Sequence, residues 1–368
     1  VQTGRAKIVI GARSSIFSPV QNLGLVIVDE EHDTSYKQQE KTPCYHARDV
    51  AVMRGKLAGA LVVLGSATPS LESYYNTSLG KYQLNALTVR ADAAFLPKVH
   101  IIDMRKEVEK AKRMTIFSDA LLSGIEKRHK KGEQTILFLN RRGYHTALLC
   151  KGCGKSISCQ ECSLSLTFHR QANRLSCHLC GFFLSPPPEL CPHCRADETL
   201  QCRGIGTEQV ERALSAIFPE IRSVRVDADT TRHKGSLEQK LREFSSGKAE
   251  LLIGTQIIAK GHHFPEVTLV GVLHADAGLH IPDFRSSETT FQLIAQVAGR
   301  SGRGALAGEV IVQSFCPDAD LMRQASQHDY LAFYNQEMAT RELFGYPPFV
   351  QLVKFLFRGK EESLVVRE

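Results

Sequence analysis

The chain has 368 residues, of which 43% are hydrophobic, so it is long enough to bury a large core in roughly two or three domains. It contains no run of about 18 apolar residues, so no transmembrane helix is predicted. A net charge of +7 is compatible with a polyanionic partner but does not require one, because many enzymes have a similar balance.

The cysteines and the first residues indicate the cellular setting. Eight of the 11 cysteines form four C-x-x-C pairs, a pattern typical of metal binding in a reducing compartment rather than of disulfides. The sequence starts at Val1 without a basic-then-apolar signal segment. We therefore expect a cytoplasmic protein whose given sequence begins inside a longer one.

Short apolar runs recur along the chain, each followed by a polar or glycine-rich turn and then a helical pattern. Alternating strands and helices predict an α/β fold with parallel sheets. Because a cysteine-rich block separates the runs, two sheet domains fit better than one. The runs are residues 8–10, Leu25–Val28, Leu61–Leu64, 136–139, 224–226, 251–253, 269–273 and 310–312.

The second of these runs leads directly into three acidic residues and a histidine. Leu25–Val28 is short and continuously apolar, which predicts a strand buried on both faces of a parallel sheet. Functional groups gather beyond the carboxyl ends of such strands, where Asp29 could hold Mg²⁺ and Glu30 could activate an attacking water. For an isolated acidic triplet, however, a solvated turn that caps the next helix is the preferred interpretation.

A second polar turn changes that interpretation. Leu61–Leu64 is followed by Gly-Ser-Ala-Thr-Pro at residues 65–69. An acidic strand end followed at this interval by such a turn resembles motifs II and III of the superfamily-two helicases. In that superfamily the Ser and Thr couple the nucleotide site to movement of the lobes. The joint match favours a nucleotide site over a capping role.

Two stretches carry groups suited to grip a nucleic acid. Arg13, Ser14 and Ser15 follow residues 8–10 and could hold phosphate oxygens, although an ordinary turn with a Ser N-cap is the simpler interpretation. Tyr36 and Lys37 lie where aromatic and basic side chains interleave, as in a loop that stacks on bases. A polar loop that packs two tyrosines explains this composition equally well.

Two further groups of residues could contact phosphates. Arg141 and Arg142 follow residues 136–139, and paired arginines can clamp phosphate bidentately, with a solvated turn as the alternative. Thr255, Gln256 and Lys260 follow the run at 251–253. Their stretch resembles helicase motif V, in which the Thr and neighbouring amides hold the backbone of the bound strand.

The four C-x-x-C pairs lie within one 45-residue stretch. Two such knuckles complete a tetrahedral Cys₄ site, so the block predicts two structural zinc ions, and we favour all-cysteine sites over ones in which a nearby histidine replaces a thiolate. Fourteen residues separate the inner pairs, close to the usual zinc-ribbon spacing, but only five separate the first two pairs, so we expect inner and outer sites. The inner ligands are Cys159, Cys162, Cys177 and Cys180, and the outer ligands are Cys150, Cys153, Cys191 and Cys194.

A helical segment near residue 300 completes the helicase order. Gln296, Arg300 and Arg303 are spaced i, i+4 and i+7, which predicts that they share one helical face. The segment resembles motif VI, whose arginines reach across a cleft and neutralise charge on the γ-phosphate. A basic, glycine-rich helix end is the alternative, but it does not explain why the other motifs precede it in the helicase order.

Several further strings narrow the resemblance to one family. They are D-E-E-H at 29–32, Y-H-A-R-D at 45–49, the cysteine block, G-T-E-Q at 206–209, D-A-D-T-T at 227–231, the stretch 254–265, P-D-F-R at 282–285 and residues 296–303. In this order they resemble the primosomal protein N′ family, the replication-restart DNA helicases of bacteria. The resemblance runs from the first residues to Pro348.

The resemblance implies two RecA-like parallel-sheet helicase lobes, the first incomplete, with a small two-zinc insertion in the second and the start of a C-terminal domain. It implies an ATP-driven 3′→5′ DNA translocase that uses Mg²⁺ and ATP and recognises forked and single-stranded DNA at abandoned forks. It also implies contacts with other primosome proteins, single-strand-binding protein and the machinery that loads the replicative helicase.

The same resemblance implies roles for individual residues. Catalysis falls to Asp29, Glu30, His32, Gln296, Arg300 and Arg303. Nucleotide binding falls to Asp29, Glu30, Gly261, Arg300 and Arg303. The DNA-binding candidates come from residue chemistry and from the resemblance together, and they are Arg13, Ser14, Ser15, Tyr36, Lys37, Thr68, Arg141, Arg142, Thr255, Gln256 and Lys260.

Domain boundaries follow from the order of the motifs. We expect residues 1–91 to belong to the first lobe and residues 92–148 to begin the second. The zinc insertion would occupy 149–202, the rest of the second lobe 203–318, and the start of a C-terminal domain 319–368.

Three departures from the family bear on activity. The sequence contains no G-x-x-x-x-G-K-[ST], the loop that cradles the β- and γ-phosphates and that in the family precedes the segment where Val1 falls. The C-terminal domain is cut at Glu368, and Thr289 stands where a basic residue is expected. We therefore expect a helicase fragment that does not turn over ATP on its own.

Two other functions compete with this one. A zinc-ribbon nucleic-acid adaptor that has lost hydrolysis would explain the missing phosphate loop, but it would not need intact acidic and arginine motifs. An RNA helicase of the same superfamily would share those motifs, but the zinc block and the family-specific strings count against it.

Overall fold

The computed structural model describes most residues of the chain. They are 1–38, 42–87, 97–139, 147–150, 157–160, 166–169, 173–177, 181–197, 200–203, 206–227, 230–231, 233, 235–255, 258, 264–280, 283–301 and 308–353. The chain forms two compact units, one of residues 1–87 with 334–368 and one of residues 88–333. The domain boundaries drawn from the sequence stay predictions. Among the described helices, none is both long and apolar enough to cross a membrane.

The first unit is built on a small parallel sheet. Its strands are β1 (Leu25–Val28), β2 (Lys37–Gln38), β3 (Tyr45–His46) and β4 (Leu61–Leu64), its helices are α1 (Ala47–Ala58) and α2 (Leu71–Ser78), and Arg13–Phe17 and Thr34–Tyr36 form 3-10 turns. Strands β1 and β4 pair in parallel, and β2 and β3 form an antiparallel hairpin. The carboxyl ends of β1 and β4 therefore lie side by side.

Only one face of the β1–β4 pair is covered by α1. A Cβ atom added at Gly55 of α1 would lie 2.2 Å from Val62, so the helix rests directly on β4. Because side chains alternate across a strand, Val28 on the same face is 6% exposed while Ile27 on the other is 66% exposed. The prediction that Leu25–Val28 is buried on both faces is therefore wrong: one helix can shield one face only.

The run at residues 8–10 does not form a strand. Ile8 and Ile10 are 80% and 94% exposed, and in the described part of this unit only β1 and β4 make up the parallel sheet. An extended segment needs a hydrogen-bonded neighbour to become a strand, so the apolar pattern alone predicted wrongly here. The other seven predicted runs are strands, two of them with the predicted bounds.

The second unit contains a six-stranded parallel sheet. Its strands are β5 (Lys98–Asp103), β6 (Gln134–Leu139), β12 (Ser223–Val226), β13 (Leu251–Gly254), β14 (Val267–Leu273) and β15 (Glu309–Ser314). Their order in the sheet is β12-β13-β6-β14-β15-β5. Every residue of β6, β13 and β14 is buried, as expected for central strands covered on both sides. The predicted α/β class with parallel sheets is confirmed.

Helices complete this unit. They are α3 (Met104–Ala111), α4 (Asp119–Lys131), α5 (Thr207–Ile217), α6 (Ser236–Ser245), α7 (Ser286–Ala298) and α8 (Asp320–Ser326). Most of α9 (Tyr330–Leu343) belongs to the first unit, which includes the chain from residue 334. Helix α4 lies close to β14, where a Cβ at Gly271 would be 2.6 Å from Leu137 and 2.8 Å from Leu121. A side chain at this position would force the tips of Leu121 and Leu137 to move, so glycine allows the helix and the sheet to pack closely.

The cysteine-rich segment folds as short antiparallel strands. They are β7 (Ala147–Cys150), β8 (Thr167–His169), β9 (Arg174–Ser176), β10 (Phe183–Leu184) and β11 (Leu200–Arg203). Strands β8, β9 and β10 form one sheet, and β7 pairs with β11. A small apolar cluster that includes Leu148, Ile157, Leu166 and Leu175 fills its interior.

Residues 334–353 pack within the first unit. The rings of Tyr74 and Tyr334 are 4.6 Å apart between centroids, and those of Tyr75 and Phe349 are 5.3 Å apart. Arg341 of α9 is 1% exposed and donates from Nε to Glu337 Oε1 over 3.2 Å. The two ring pairs join the α2 helix to residues more than 250 positions later in the sequence.

Candidate functional site

The acidic turn lies at the carboxyl end of β1. Asp29 is exposed there, and its Oδ1 accepts a hydrogen bond from the Glu30 amide over 3.0 Å. Glu30 has a φ of 48°, a left-handed conformation that is uncommon for a residue other than glycine. This bend directs the chain away from the strand, so that consecutive carboxylates face different surroundings.

His32 connects this turn with the Gly-Ser-Ala-Thr turn after β4. Its Nδ1 lies 2.7 Å from Ser66 Oγ and 3.6 Å from a Glu30 carboxylate oxygen. Ser66 Oγ in turn accepts a hydrogen bond from the Thr68 amide over 3.0 Å. The two turns predicted from the sequence are thus joined through one imidazole, and the buried Thr68 is part of that connection.

Tyr36 lies against the same turn. Its hydroxyl donates to the Asp29 carbonyl oxygen over 2.7 Å. Burial and the nearby carboxylates of Asp29, Asp33 and Glu30 raise the pKa of the Tyr36 phenol, because all of them disfavour its anion. Tyr36 therefore acts as a neutral hydrogen-bond donor that supports the acidic turn, a contact that composition alone did not predict.

The other residues assigned to DNA in this unit lie beside that tyrosine. Arg13 donates to the carbonyl oxygens of Ser35 and Lys37 over 3.0 and 3.2 Å, and it lies over the Tyr45 ring at 5.8 Å. Ser14 is exposed and Ser15 half-buried in the same 3-10 turn. The two stretches that the sequence set apart as nucleic-acid candidates thus form one surface.

In the second unit, the structure describes part of the motif V and motif VI stretches. Thr255 is 5% exposed at the end of β13, and its carbonyl oxygen accepts the Ile258 amide over 3.0 Å. Gln296 is half-buried on α7. The predicted residues Gly261, Arg303, Arg141, Arg142, Gln256 and Lys260 lie outside the described residues.

Helix α7 ends at Ala298, before the first motif VI arginine. Arg300 is 9% exposed and lies in the turn that follows, where its amide bonds to the Val297 carbonyl oxygen over 3.0 Å. The prediction of one continuous helical face through Gln296 and Arg300 is therefore wrong. The intervening Gly299 explains the end, since glycine has a low helix propensity.

Three cysteine thiols of the predicted outer zinc site come together. The Sγ atoms of Cys150, Cys191 and Cys194 all lie within 4.8 Å of one another, and those of Cys150 and Cys194 are 3.5 Å apart. Two come from one C-x-x-C knuckle and the third from the end of β7, so a tetrahedral zinc could take all three with one further thiolate. Their donor set fits zinc.

The inner site is described in part. Cys159 and Cys177 are each 3% exposed and belong to the same apolar cluster. The Cys177 carbonyl oxygen accepts the Gly181 amide over 3.0 Å. The remaining predicted ligands Cys153, Cys162 and Cys180 lie outside the described residues.

Comparison with known proteins places this chain among its relatives. Two family models match it: the PriA DNA helicase Cys-rich region (CRR) domain over residues 159–182 and the Helicase conserved C-terminal domain over residues 202–305. Replication restart protein PriA of Chlamydia pneumoniae is 56% identical over 357 residues, which are 97% of this chain and 48% of that protein. The chain belongs to the PriA family.

Other PriA proteins match with similar extent. The protein of Chlamydia trachomatis is 51% identical across 99% of this chain and 48% of its own length. The protein of Bacillus subtilis is 48% identical across 94% of this chain and 42% of its own length. The chain thus spans about half the length of the PriA relatives it matches. RecG bound to a three-way DNA junction aligns with 95% of this chain and 33% of the RecG chain at 14% identity, with a TM-score of 0.44.

Membership in the PriA family confirms the resemblance drawn from the motif order. The fold is that of RecA-like helicase lobes with a small cysteine-rich insertion, as predicted. The Cys-rich model begins at Cys159 and ends after Cys180, so it covers the predicted inner knuckles. Together with the thiol cluster of the outer knuckles, it indicates that the PriA Cys-rich region of this chain binds zinc.

Proposed function

We propose that this chain carries nucleotide-hydrolysing and DNA-translocating parts of a replication-restart helicase, which moves 3′→5′ along DNA at stalled or abandoned forks. The observation that supports this best is the connection from Glu30 through His32 to Ser66. It joins the acidic turn to the Gly-Ser-Ala-Thr turn. Through these two motifs, superfamily-two helicases link hydrolysis to movement.

Asp29 and Glu30 have different roles in this proposal. Asp29 is exposed at the strand end, where a carboxylate oxygen can hold Mg²⁺ together with phosphate oxygens of ATP. The Glu30 side chain is 40% exposed and has the His32 imidazole nearby. Glu30 can therefore accept a proton from an attacking water, and the His32 imidazole connects Glu30 with Ser66.

The arginines of the motif VI stretch supply positive charge to the same reaction. Arg300 and Arg303 would neutralise charge that builds on the γ-phosphate in the transition state, with Gln296 and the Gly261 backbone as further nucleotide contacts. Arg300 is 9% exposed, and a guanidinium shielded from water interacts more strongly with an anion. Removing such an arginine typically lowers kcat by orders of magnitude.

The proposed DNA contacts come from both units. In the first unit, Arg13 and Tyr36 support this assignment because they lie on one surface next to the acidic turn. Contacts there would let strand binding influence hydrolysis directly. The full proposed set is Arg13, Ser14, Ser15, Tyr36, Lys37, Thr68, Arg141, Arg142, Thr255, Gln256 and Lys260.

The Cys-rich region is proposed to hold two structural zinc ions. Complete Cys₄ sets would have no open position for a substrate, so the ions would stabilise the insertion rather than catalyse. Metal analysis of the purified chain should give two zinc ions per molecule, and Cys191→Ser should give one with the inner site still filled. A value of two in that variant would contradict the outer site.

The proposed partners follow from the PriA family. They are forked and single-stranded DNA, other primosome proteins, single-strand-binding protein and the machinery that loads the replicative helicase, all in the cytoplasm. Phosphate contacts should make DNA binding fall steeply as salt rises, which a titration with forked DNA at several salt concentrations would measure.

DNA-stimulated ATP hydrolysis tests the proposal. It should be measured for this chain and for the same chain extended at its N-terminus to the full length of its relatives, both loaded with zinc. Since residues 1–368 contain no G-x-x-x-x-G-K-[ST], we expect activity in the extended protein only. Glu30→Gln should abolish that activity, whereas Glu109→Gln, which changes an exposed carboxylate on α3, should leave it unchanged.

The outcomes separate the proposed enzyme from its rival. Activity in the extended protein that survives Glu30→Gln would remove the catalytic assignment of the acidic turn. Activity in neither protein, with forked DNA still bound, would favour a non-hydrolysing zinc-ribbon adaptor.

A further inference from the structure

The third carboxylate of the acidic run behaves unlike the first two. Asp29 is exposed and Glu30 half-exposed, but Glu31 is 1% exposed. Burying a carboxylate is costly unless hydrogen bonds and an opposite charge replace the lost water. The surroundings of Glu31 are therefore expected to be built around that charge.

Hydrogen bonds saturate the Glu31 carboxylate. It accepts the Ser70 amide over 2.6 Å, the Ser70 hydroxyl over 3.1 Å, the Ser73 hydroxyl over 2.9 Å and Arg48 Nη1 over 3.1 Å. A carboxylate has about four acceptor positions, so these donors fill it. Ser70 is the N-cap of α2 and also accepts from the Ser73 amide, so Glu31 holds the start of that helix.

Arg48 makes this cluster an ion pair. Its Nη1 also donates to Ser70 Oγ over 2.6 Å, and its Nε donates to Asp49 over 2.9 Å. Burial alone would lower the pKa of Arg48, but the nearby carboxylates of Asp49 and Glu31 outweigh it and raise that pKa. Arg48 therefore stays charged at neutral pH beside the Glu31 carboxylate.

The cluster lies directly next to a strained residue. Glu30 has its left-handed φ of 48°, a conformation that persists only when the surrounding structure holds it. On one side Tyr36 holds the Asp29 carbonyl oxygen, and on the other the Glu31 amide bonds to the Gly65 carbonyl oxygen over 3.0 Å. The buried Glu31 side chain adds an anchor to α1 and α2.

We infer that Glu31 is a positioning residue for the hydrolysis proposed above: its buried carboxylate, with Arg48, Ser70 and Ser73, holds Glu30 in its left-handed conformation. The inference rests on the proposed function. It makes Glu31 act through its neighbour, since its own carboxylate has no access to water or nucleotide. The same cluster fixes the position of the acidic turn relative to the start of α2, which follows the Gly-Ser-Ala-Thr turn.

Glu31→Gln tests the inference, because it keeps the volume but removes the charge that Arg48 requires. In the N-terminally extended, zinc-loaded protein we expect kcat for ATP hydrolysis to fall at least about tenfold with KM for ATP changed less than about threefold. Glu342→Gln is the matched control: it neutralises an exposed carboxylate on α9 in the same unit, and kcat should stay within about twofold.

A purely structural role would give a different pattern. If Glu31 only stabilises the unit, kcat per folded molecule would equal that of the parent, with the folded fraction measured by circular dichroism. That result, or a kcat within about twofold of the parent, overturns the inference. Should Glu31→Gln not fold, Ser73→Ala decides the matter. It removes one donor and should lower kcat about two- to fivefold, and an unchanged kcat there also overturns the inference.

A measurement that needs no hydrolysis separates this inference from the proposed function. Hydrogen exchange of the Glu31 and Ser70 amides should speed up at least about tenfold in Glu31→Gln, while exchange in α4 stays unchanged. Unchanged exchange at both amides would contradict the anchoring role even if ATP is hydrolysed. Faster exchange in a protein whose activity survives Glu30→Gln would support the anchoring role of Glu31 but contradict its role in hydrolysis.

Discussion

The two parallel sheets of this protein are stabilised by different kinds of contact. In the six-stranded sheet, all residues of β6, β13 and β14 are buried, and the packing of apolar side chains holds the strands. In the β1–β4 pair, Leu25 and Ile27 remain 50% and 66% exposed. Its carboxyl end is instead held by hydrogen bonds around His32 and Glu31.

This difference between apolar packing and hydrogen bonding bears on where a functional turn can lie. A strained acidic turn needs directional contacts, which hydrogen bonds supply and apolar packing does not. Apolar burial contributes more free energy but fixes orientation less sharply. If this contrast is correct, substitutions in the first unit should cost most at buried polar groups, and those in the second unit at buried apolar groups.

The largest effect is expected at Arg341 of the first unit. Its guanidinium is 1% exposed and pairs with the partly buried Glu337 carboxylate, so Arg341→Met removes the buried positive charge that this carboxylate faces. The free energy of unfolding should fall by about 3–5 kcal/mol, measured by urea denaturation. Arg323→Met, which breaks an exposed i,i+3 pair, is the control and should change little. Equal effects in both variants would contradict the contrast.

The second prediction compares apolar side chains in the two sheets. Leu137 on β6 is 0% exposed, so Leu137→Ala should lower the free energy of unfolding by about 2–5 kcal/mol. Ile27 on β1 is 66% exposed, and Ile27→Ala should change it by less than about 0.5 kcal/mol. Urea denaturation of both variants checks this. Similar losses would mean that the exposed face of β1 is covered in solution.

A smaller effect is expected from the hydroxyl of Tyr36. Tyr36→Phe removes the hydrogen bond to the Asp29 carbonyl oxygen and should cost about 0.5–1.5 kcal/mol by thermal or urea unfolding. Tyr82→Phe changes another partly buried tyrosine of the same unit and serves as a comparison. A cost near zero at Tyr36 would show that its ring, not its hydroxyl, supports the turn.

The smallest effect concerns pH. Burial lowers the pKa of His274 in the second unit. Burial, together with the nearby Arg48 charge, lowers the pKa of His46 in the first unit. Because the unfolded chain binds these protons more readily, stability should be fully present above about pH 6.5 and fall as the pH drops through each lowered pKa. Thermal unfolding between neutral and mildly acidic pH would show it.

Two substitutions assign that pH dependence to one unit or the other. His274→Asn suits the left-handed φ of 51° at this position and should reduce the acid sensitivity of the second unit. His46→Gln should do the same for the first. If neither variant changes the slope of stability against pH, other groups control it.

Local patterns were enough to predict much of this protein. Leu25–Val28 and Leu61–Leu64 are strands with the predicted bounds, and the acidic and hydroxyl turns follow them as expected. The C-x-x-C spacing led to an outer set of cysteines, of which Cys150, Cys191 and Cys194 lie together. The strands were predicted correctly because strand periodicity is a property of neighbouring residues, and the outer zinc site stays a prediction that the three thiols support.

Other features depended on residues far apart in the sequence. The exposure of Ile27, the failure of residues 8–10 to pair and the packing of Arg341 within the first unit are set by which segments meet in space. The sequence shows Glu31 as one of three equivalent acids. Only the fold brings Ser70, Ser73 and Arg48 to its carboxylate, because hydrogen bonds between distant segments form only once the backbone has placed their donors within reach.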